Sequence, residues 1–532
     1  MKSLDAIIIS DYGIDTFSGT SPFRLHIDEK HLALIQNVKN CISNNGNINE
    51  PIADEIGNWQ SAAKLNGLML YSVLTNRGHS VELIDSYNNE RDFFEELIKL
   101  SPKAIIISTT FILNKTTLVN LVNEVRSKCN AKIIVGGPFV YSSYLLSKKK
   151  VDESYDTESP KEDFLFLSKK NLPDVDLYIV SRDGLTILTE VLDCIKVGAN
   201  LKDIPNTAIW NGSNYIFSKR IEETSKSEIL KIDWKAIPRR FFNTGVVNIQ
   251  ASNGCPYKCE FCNFVKDRKF TYIKPLDTLI SELKAVSSFG VKYVRFVDDN
   301  FRLGKPDLNE VCERFIREGI NIKWMSFLRA STIKKTDLNL LKKAGCMEVQ
   351  IGIESADINV LDNMNKKADP QMYKEVINDL LNHGINCSCC FVVGFPGETI
   401  DSYNRTIEFI ESIPQETHTG LFYWSIYPFF FVPLSPVYEP SKRGKYELSG
   451  YMDKWKHMTM DSTEAQHLVK NAFLNIKRSS PIYSGDNINM LLELPLNKRK
   501  EFFLKRHELA KLSITNRLER EQIYNAFSGI VN

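Results

Sequence analysis

The sequence predicts an α/β protein with two parallel-sheet regions and a helical C-terminus. Two observations carry this. Short β-branched runs alternate with amphipathic stretches across the first two hundred residues, and the alternation restarts near Val246 and continues to about Tyr427. The last ninety or so positions show helical patterning with no strand run. At roughly 100–200 residues per domain, 532 residues suggest about three domains.

The first series has strand candidates at Ala6–Ser10, Ser80–Asp85, Ala104–Thr109, Lys132–Gly136 and Leu177–Val180. Each is nearly all apolar, as expected of parallel strands covered on both faces. Helical stretches Lys64–Arg77, Arg91–Leu100 and Lys115–Lys128 lie between them. Alternating strands and helices imply a doubly wound, Rossmann-like domain over residues 1–220. Residues 11–60 interrupt it as an Asn-rich insertion. The charged residues 147–173 read as an exposed loop, and 221–245, ending in Pro238-Arg239-Arg240, as a linker.

The second series has strands at Val246–Ala251, Tyr293–Val297, Lys323–Phe327, Glu348–Ile353, Ser388–Gly394 and Leu421–Tyr427. Helices are expected at Pro275–Phe289, Lys305–Glu318, Lys334–Ala344, Gln371–His383 and Thr399–Ser412. Six such units predict a partial (β/α)6, TIM-like barrel over 246–440, with ligands at the strand C-termini. Residues 441–532 form the helical C-terminal domain, with helices at Asp461–Ile476, Leu496–Leu512 and Ile514–Phe527.

Composition bounds the function. Lys+Arg is 67 against 65 Asp+Glu, a net charge of +2. That argues against a nucleic-acid backbone or an anionic membrane as main partner. No apolar run of about 18 residues offers a membrane span, and Met1-Lys2-Ser3-Leu4-Asp5 does not open a signal peptide. The expected address is cytoplasmic, where eleven cysteines are thiols or metal ligands and not disulfides.

The chemistry concentrates after the first barrel strand, in Cys255-x3-Cys259-x2-Cys262. Three thiolates on one loop suit three irons of a [4Fe-4S] cluster and leave the fourth iron open. A zinc site would want a fourth Cys or His at motif spacing, which is missing. With these cysteines the chain resembles the radical S-adenosylmethionine (SAM) superfamily over about residues 246–430. The resemblance implies that the open iron binds the amino and carboxylate groups of SAM. It also implies reductive cleavage of SAM to a 5′-deoxyadenosyl radical, with electrons from an external donor such as flavodoxin or ferredoxin.

Further segments follow in the superfamily's order. The resemblance makes Phe261 the aromatic that packs near the adenine. Asp298, Asp299 and Asn300 follow the second strand, where polar groups can meet the methionine amino group, although Asp or Asn there can also cap a helix. Arg329 ends the third strand, where a cation could pair with the SAM carboxylate. Glu354, with Ser355, ends the fourth, and the resemblance gives this Glu to the ribose hydroxyls. Val392, Gly394 and Gly397 end the fifth, near the adenine; glycine permits close backbone approach.

The N-terminal domain resembles that of the cobalamin-binding subgroup, with Gly136, Gly137 and Pro138 at a strand end suited to a large flat cofactor. Two features depart from that pattern. Ser181-Arg182-Asp183-Gly184 stands where Gly-Glu-Gly-Glu is common, and no Asp-x-His-x-x-Gly segment offers a lower cobalt ligand. The leading expectation is cobalamin-dependent C-methylation of an unactivated carbon in a natural product or peptide. The alternative is a peptide epimerase, or another hydrogen-abstracting enzyme, with a vestigial cobalamin domain. There Cys390, on the barrel-facing side of Cys387-Ser388-Cys389-Cys390, would donate hydrogen. A transfer-RNA methylthiotransferase is disfavoured, because Cys41, Cys129 and Cys194 are too scattered for its second cluster. The aromatics from Phe422 to Phe431 read mainly as core, and His457 as structural.

Overall fold

The computed structural model describes residues 4–13, 62–222, 231–263, 272–301, 304–414, 417–482, 495–514 and a few positions up to 527. Most of the 11–60 insertion, including Cys41, lies outside the described residues, as does half of the expected last helix. The chain divides into two compact units. The first takes in Ala63–Pro238, the strand before it and Tyr438–Pro440. The second takes in Ala62, Arg239–Val437 and the described residues from Ser441 onward.

The first unit is one sheet of seven strands: β1 (Ala6–Ile9), β2 (Val81–Ile84), β3 (Ala104–Ser108), β4 (Lys132–Gly136), β5 (Leu177–Ile179), β6 (Thr207–Trp210) and β7 (Tyr215–Phe217). Their order is β2-β1-β3-β4-β5-β6-β7. The first five are parallel. Helices Leu65–Asn76, Arg91–Ile98, Lys115–Lys128, Pro138–Lys148 and Leu185–Val197 connect or follow them. The isoleucines of β1 and β3 are buried throughout because both sheet faces are covered. The order reverses between β1 and β3, which makes the carboxyl ends of these strands the switch point where such sheets hold ligands.

Two expectations for this unit need correcting. The antiparallel hairpin β6–β7 extends the sheet beyond the five expected strands. Residues 147–173 are not simply an exposed loop: Tyr155, Phe164, Leu165 and Leu167 are buried. The Leu165 amide donates to Ser143 Oγ (3.2 Å) and Lys150 Nζ donates to the Leu167 carbonyl (2.7 Å). Four apolar side chains outweigh the charges around them. Within the expected linker, Trp234 and Ile237 are also buried, and the Asp233 amide donates to Ser72 Oγ at 2.8 Å.

The second unit carries β8 (Val246–Ile249), β9 (Ser252–Asn253), β10 (Tyr272–Ile273), β11 (Tyr293–Phe296), β12 (Lys323–Phe327), β13 (Cys346–Glu354), β14 (Asn386–Val393) and β15 (Phe422–Pro428). After these come β16 (Ser449–Tyr451), β17 (Lys454–His457), β18 (Met460–Asp461) and β19 (Ser480–Pro481). The main sheet runs β19-β15-β14-β13-β12-β11-β8, all parallel. From β8 to β15 the spatial order follows chain order, as a partial (β/α) barrel requires.

The helices lie on one face of this sheet. Phe315 of helix Leu308–Arg317 meets Trp324 at 6.5 Å, and Phe409 of helix Ile400–Glu411 meets Phe391 at 6.3 Å. Alternation then turns Arg295, Met325, Ser388, Cys390 and Val392 to the other, inner face.

The C-terminal part is not all helical. Strands β16, β17 and β18 form an antiparallel sheet, and β19 joins the main one. These strands are two to four residues long, too short to show a period-two pattern.

Candidate functional site

The three motif cysteines all lie on the loop after β8, and among the described residues no three His, Cys, Asp or Glu side chains are gathered closely enough to hold a metal ion. Cys259 is buried, while Cys255 and Cys262 are partly exposed. The carboxyl ends of β11, β12 and β13 hold this loop. The Asp298 carboxylate accepts hydrogen bonds from the Ala251 amide (3.2 Å) and from the amide and hydroxyl of Ser252. Burial pushes its pKa up to about 6, against the pull of those bonds. Asp299 accepts from the Gly254 amide at 2.9 Å. Both aspartates, expected near the SAM amino group, thus engage the cluster loop's backbone. Neither caps a helix. Asn300 is different: it is 3% exposed, and neither its Oδ1 nor its Nδ2 has a partner. A buried amide without partners has four hydrogen bonds to offer a ligand.

Arg329 lies against the same loop. Its guanidinium sits 3.6 Å from the Tyr257 ring centroid, with Nη1 4.0 Å from Cys259 Sγ, and Nη2 donates to the Lys366 carbonyl. Glu354 ends β13 with left-handed backbone, φ 71°. Its carboxylate forms a buried ion pair with Lys366 at 2.7 Å. A Cβ at Gly352 would come within 2.5 Å of Glu354 Oε1, so only glycine leaves room for this arrangement. Lys366 also lies 5.7 Å from the Phe261 ring centroid, and Phe261 meets Phe395 edge-on at 6.4 Å. Ser355 turns away: it is fully buried, and its Oγ accepts from the Asp357 amide at 3.1 Å.

The turn after β14 is fixed from several sides. Gly394 and Gly397 have φ of 89° and 93°. The buried Glu398 accepts from the Gly394 amide, and burial pushes its pKa up to about 8. His457 Nε2 lies 2.9 Å from the Gly394 carbonyl, and Trp455 stacks on His457 at 5.0 Å. Asn363 donates to the Pro396 carbonyl at 3.3 Å. Sequence reasoning missed Lys366, Glu398 and Trp455. The signal for the first two was in the sequence, a Lys closing Asn363-Met364-Asn365-Lys366 shortly after Glu354 and a Glu directly after Gly397. Trp455 had none.

On the inner face, Gln350 Nε2 donates to Cys390 Sγ at 3.2 Å, and burial pushes the Cys390 thiol up to about 11. Cys387 and Cys389 face the helices, fully buried, with their sulfurs 3.6 Å apart.

In the first unit, Gly136 and Gly137 end β4 and Pro138 opens the next helix. Thr109 binds the Gly136 carbonyl through its amide (2.8 Å) and its hydroxyl (2.9 Å). Ser181 Oγ accepts from the Gly184 amide at 3.3 Å. At the switch point, Asn66 Nδ2 donates to the Ser10 carbonyl (2.9 Å) and to Ser108 Oγ (2.8 Å). Ser10 Oγ, Asp11 Oδ1, Asn66 Oδ1 and Ser86 Oγ are buried without partners.

A parallel sheet with three cysteines on the loop after its first strand, and polar groups at the following strand ends, is similar to the arrangement of radical SAM domains. Residues 249–410 match the family model of the Radical SAM superfamily, so the second unit carries a radical SAM domain. That superfamily works with a [4Fe-4S] cluster and SAM.

The chain is 25% identical over 364 residues to the uncharacterized methyltransferase PH0819 of Pyrococcus horikoshii, covering 65% of this chain and 73% of that one. It is 30% identical over 172 residues to the bacteriochlorophyllide d C-12(1)-methyltransferase of Chlorobaculum tepidum, covering 31% of this chain and only 37% of that one. In fold it resembles the cobalamin-dependent SAM radical enzyme OxsB, solved with aqua-cobalamin bound. There the TM-score is 0.59 at 12% identity, covering 96% of this chain and 72% of that one.

Proposed function

We propose that the chain is a cobalamin-dependent radical SAM methyltransferase that methylates an unactivated carbon of a small molecule or peptide. The observation that carries this reading is the doubly wound unit on the same chain as the radical SAM half-barrel. Its switch point offers four buried oxygens without partners, two hydroxyls that can donate or accept and two acceptors, a set suited to the amide-rich rim of a corrin. The match to OxsB covers this unit as well as the barrel. When bound, SAM at the reduced cluster supplies a hydrogen-abstracting radical, and cobalamin supplies the methyl group.

The chain's own residues bind and orient these groups. Cys255, Cys259 and Cys262 would hold three irons. Asp298 and Asp299 fix their loop. Asn300, Arg329 and the Glu354–Lys366 pair would meet the polar parts of SAM, and Phe261 and Val392 its adenine. Gly136, Gly137 and Pro138 would border the cobalamin. Electrons would come from flavodoxin or ferredoxin, in the cytoplasm, with no nucleic-acid or membrane partner. Among the described residues no helix is long and apolar enough to cross a membrane.

Anaerobic reconstitution with iron, sulfide and hydroxocobalamin tests the reading. The expected result is a stoichiometric corrin spectrum and S-adenosylhomocysteine formed on reduction with SAM. Loss of the corrin on gel filtration with no S-adenosylhomocysteine would refute it.

One observation favours a second reading. Cys390 is a protonated thiol on the inner face, held by Gln350, and so is placed to donate hydrogen to a substrate radical. Donation would break S–H, form C–H and leave a thiyl for the external donor to reduce. In an epimerase this gives one deuterium from D2O, and Cys390→Ala abolishes turnover.

A further inference from the structure

We infer that the inner face of the second sheet is a blind pocket for a carboxylate-bearing substrate, with the carboxylate pointing inward onto Arg295. This rests on the radical-enzyme reading and names the substrate class of that same site. Arg295 pairs in register with Asn248 on one side and Met325 on the other. Its neighbour Phe296 packs under the helices against Trp324 at 5.6 Å, which leaves Arg295 on the inner face.

One level deeper the face is closed. Val246 and Tyr293 pack with Ala62 and Met347 in an apolar floor. One level higher are Phe327, Gln350 and Ser388, aligned in register, and above them Gly352 and Cys390. The first level above the floor therefore carries Asn248, Arg295 and Glu348, with Arg295 as its cation.

Two atoms of this wall call for a ligand. Arg295 Nε is buried and has no partner, and Ser388 Oγ, 1% exposed, has none either. Burial lowers the pKa of Arg295, and the Glu348 carboxylate, level with it, opposes that shift. A buried guanidinium is best satisfied by a planar anion that accepts two parallel N–H bonds. A carboxylate does this. A carboxamide offers one acceptor and points a donor at the second N–H.

A matched pair of probes, 3-phenylpropionate and 3-phenylpropionamide, tests the inference on the full-length, cluster-loaded enzyme by ligand-observed NMR titration. The acid is expected to bind at least about tenfold tighter than the amide, the scale of one good charged pair. Arg295→Gln removes that preference, Arg295→Lys keeps part of it, and Ser388→Ala weakens the acid severalfold. Equal affinities in the wild type, no binding of either probe at millimolar concentration, or an unchanged preference in R295Q would overturn it. The wild-type comparison does not depend on any variant folding. Corrin absorbance and S-adenosylhomocysteine are not read here, so failure of the methyltransferase reading leaves the acid preference standing.

Discussion

Glu398 makes the turn after β14 pH-dependent in a way that can be measured locally. Its side chain is 1% exposed and accepts from the Gly394 amide. Burial raises its pKa from 4.5 to about 8; the hydrogen bond opposes the shift and Asp357 adds to it. In the unfolded chain this group ionises near 4.5. Between 4.5 and about 8 the folded turn therefore holds a proton that the opened turn lacks. Its stabilising contribution is complete below the lower value and is lost as pH rises to the upper one. From pH 6 to 8 the loss is about 3 kcal/mol, or roughly 100-fold in local opening, at ~1.4 kcal/mol per pH unit.

Hydrogen exchange on a peptide spanning 391–399, corrected for intrinsic rates, reads this opening. Wild type is expected to lose about 100-fold protection over that range, and Glu398→Gln to stay flat, because its carbonyl still accepts from Gly394. His457, whose pKa burial lowers, contributes to both proteins and cancels in the comparison. An equal decline in the Gln variant would refute the assignment.

Three further outcomes follow from the site. Asp298→Ala strips two buried amides and a hydroxyl of their acceptor, at ~1–3 kcal/mol each; iron retained after reconstitution and gel filtration should drop, with Asp298→Asn intermediate, and full retention in the Ala variant would contradict the loop-holding role. Lys366→Met leaves Glu354 buried and unpaired, which costs about 3–5 kcal/mol; the double variant with Glu354→Gln should recover most of that stability in denaturant titrations, and additive losses would show that the two do not couple. Single Ala variants of Cys255, Cys259 and Cys262 should each lose the visible absorption of the thiolate-ligated cluster, whereas Cys312→Ala should keep it.

Much of the fold was legible because parallel strands buried on both faces leave continuous apolar runs. Lys132–Gly136 and Lys323–Phe327 are found as expected, and the others agree within a few residues. The strands of the C-terminal part were not legible: at two to four residues they carry too little pattern, and Trp455 acts through its place against Gly394, not through any motif. The hairpin β6–β7 escaped because Tyr215–Phe217 is three residues long and only partly buried. At the site, cysteine spacing identified the cluster loop. The partners of Asp298, Asp299 and Ser355 did not follow from sequence. A polar side chain at a strand end can turn to a ligand, a neighbouring backbone or a helix cap, and only packing decides among them. The Glu354–Lys366 pair joins residues twelve apart across a turn, a contact that no helical or strand period specifies.

The proposed function joins SAM chemistry to a corrin on one chain. The most direct measurement is the ultraviolet–visible spectrum of the full-length protein after anaerobic reconstitution with hydroxocobalamin and gel filtration. A corrin spectrum near one equivalent, beside a [4Fe-4S] cluster with three cysteine ligands, is the result this account requires. A protein that carries the cluster and cleaves SAM but elutes without corrin would contradict it.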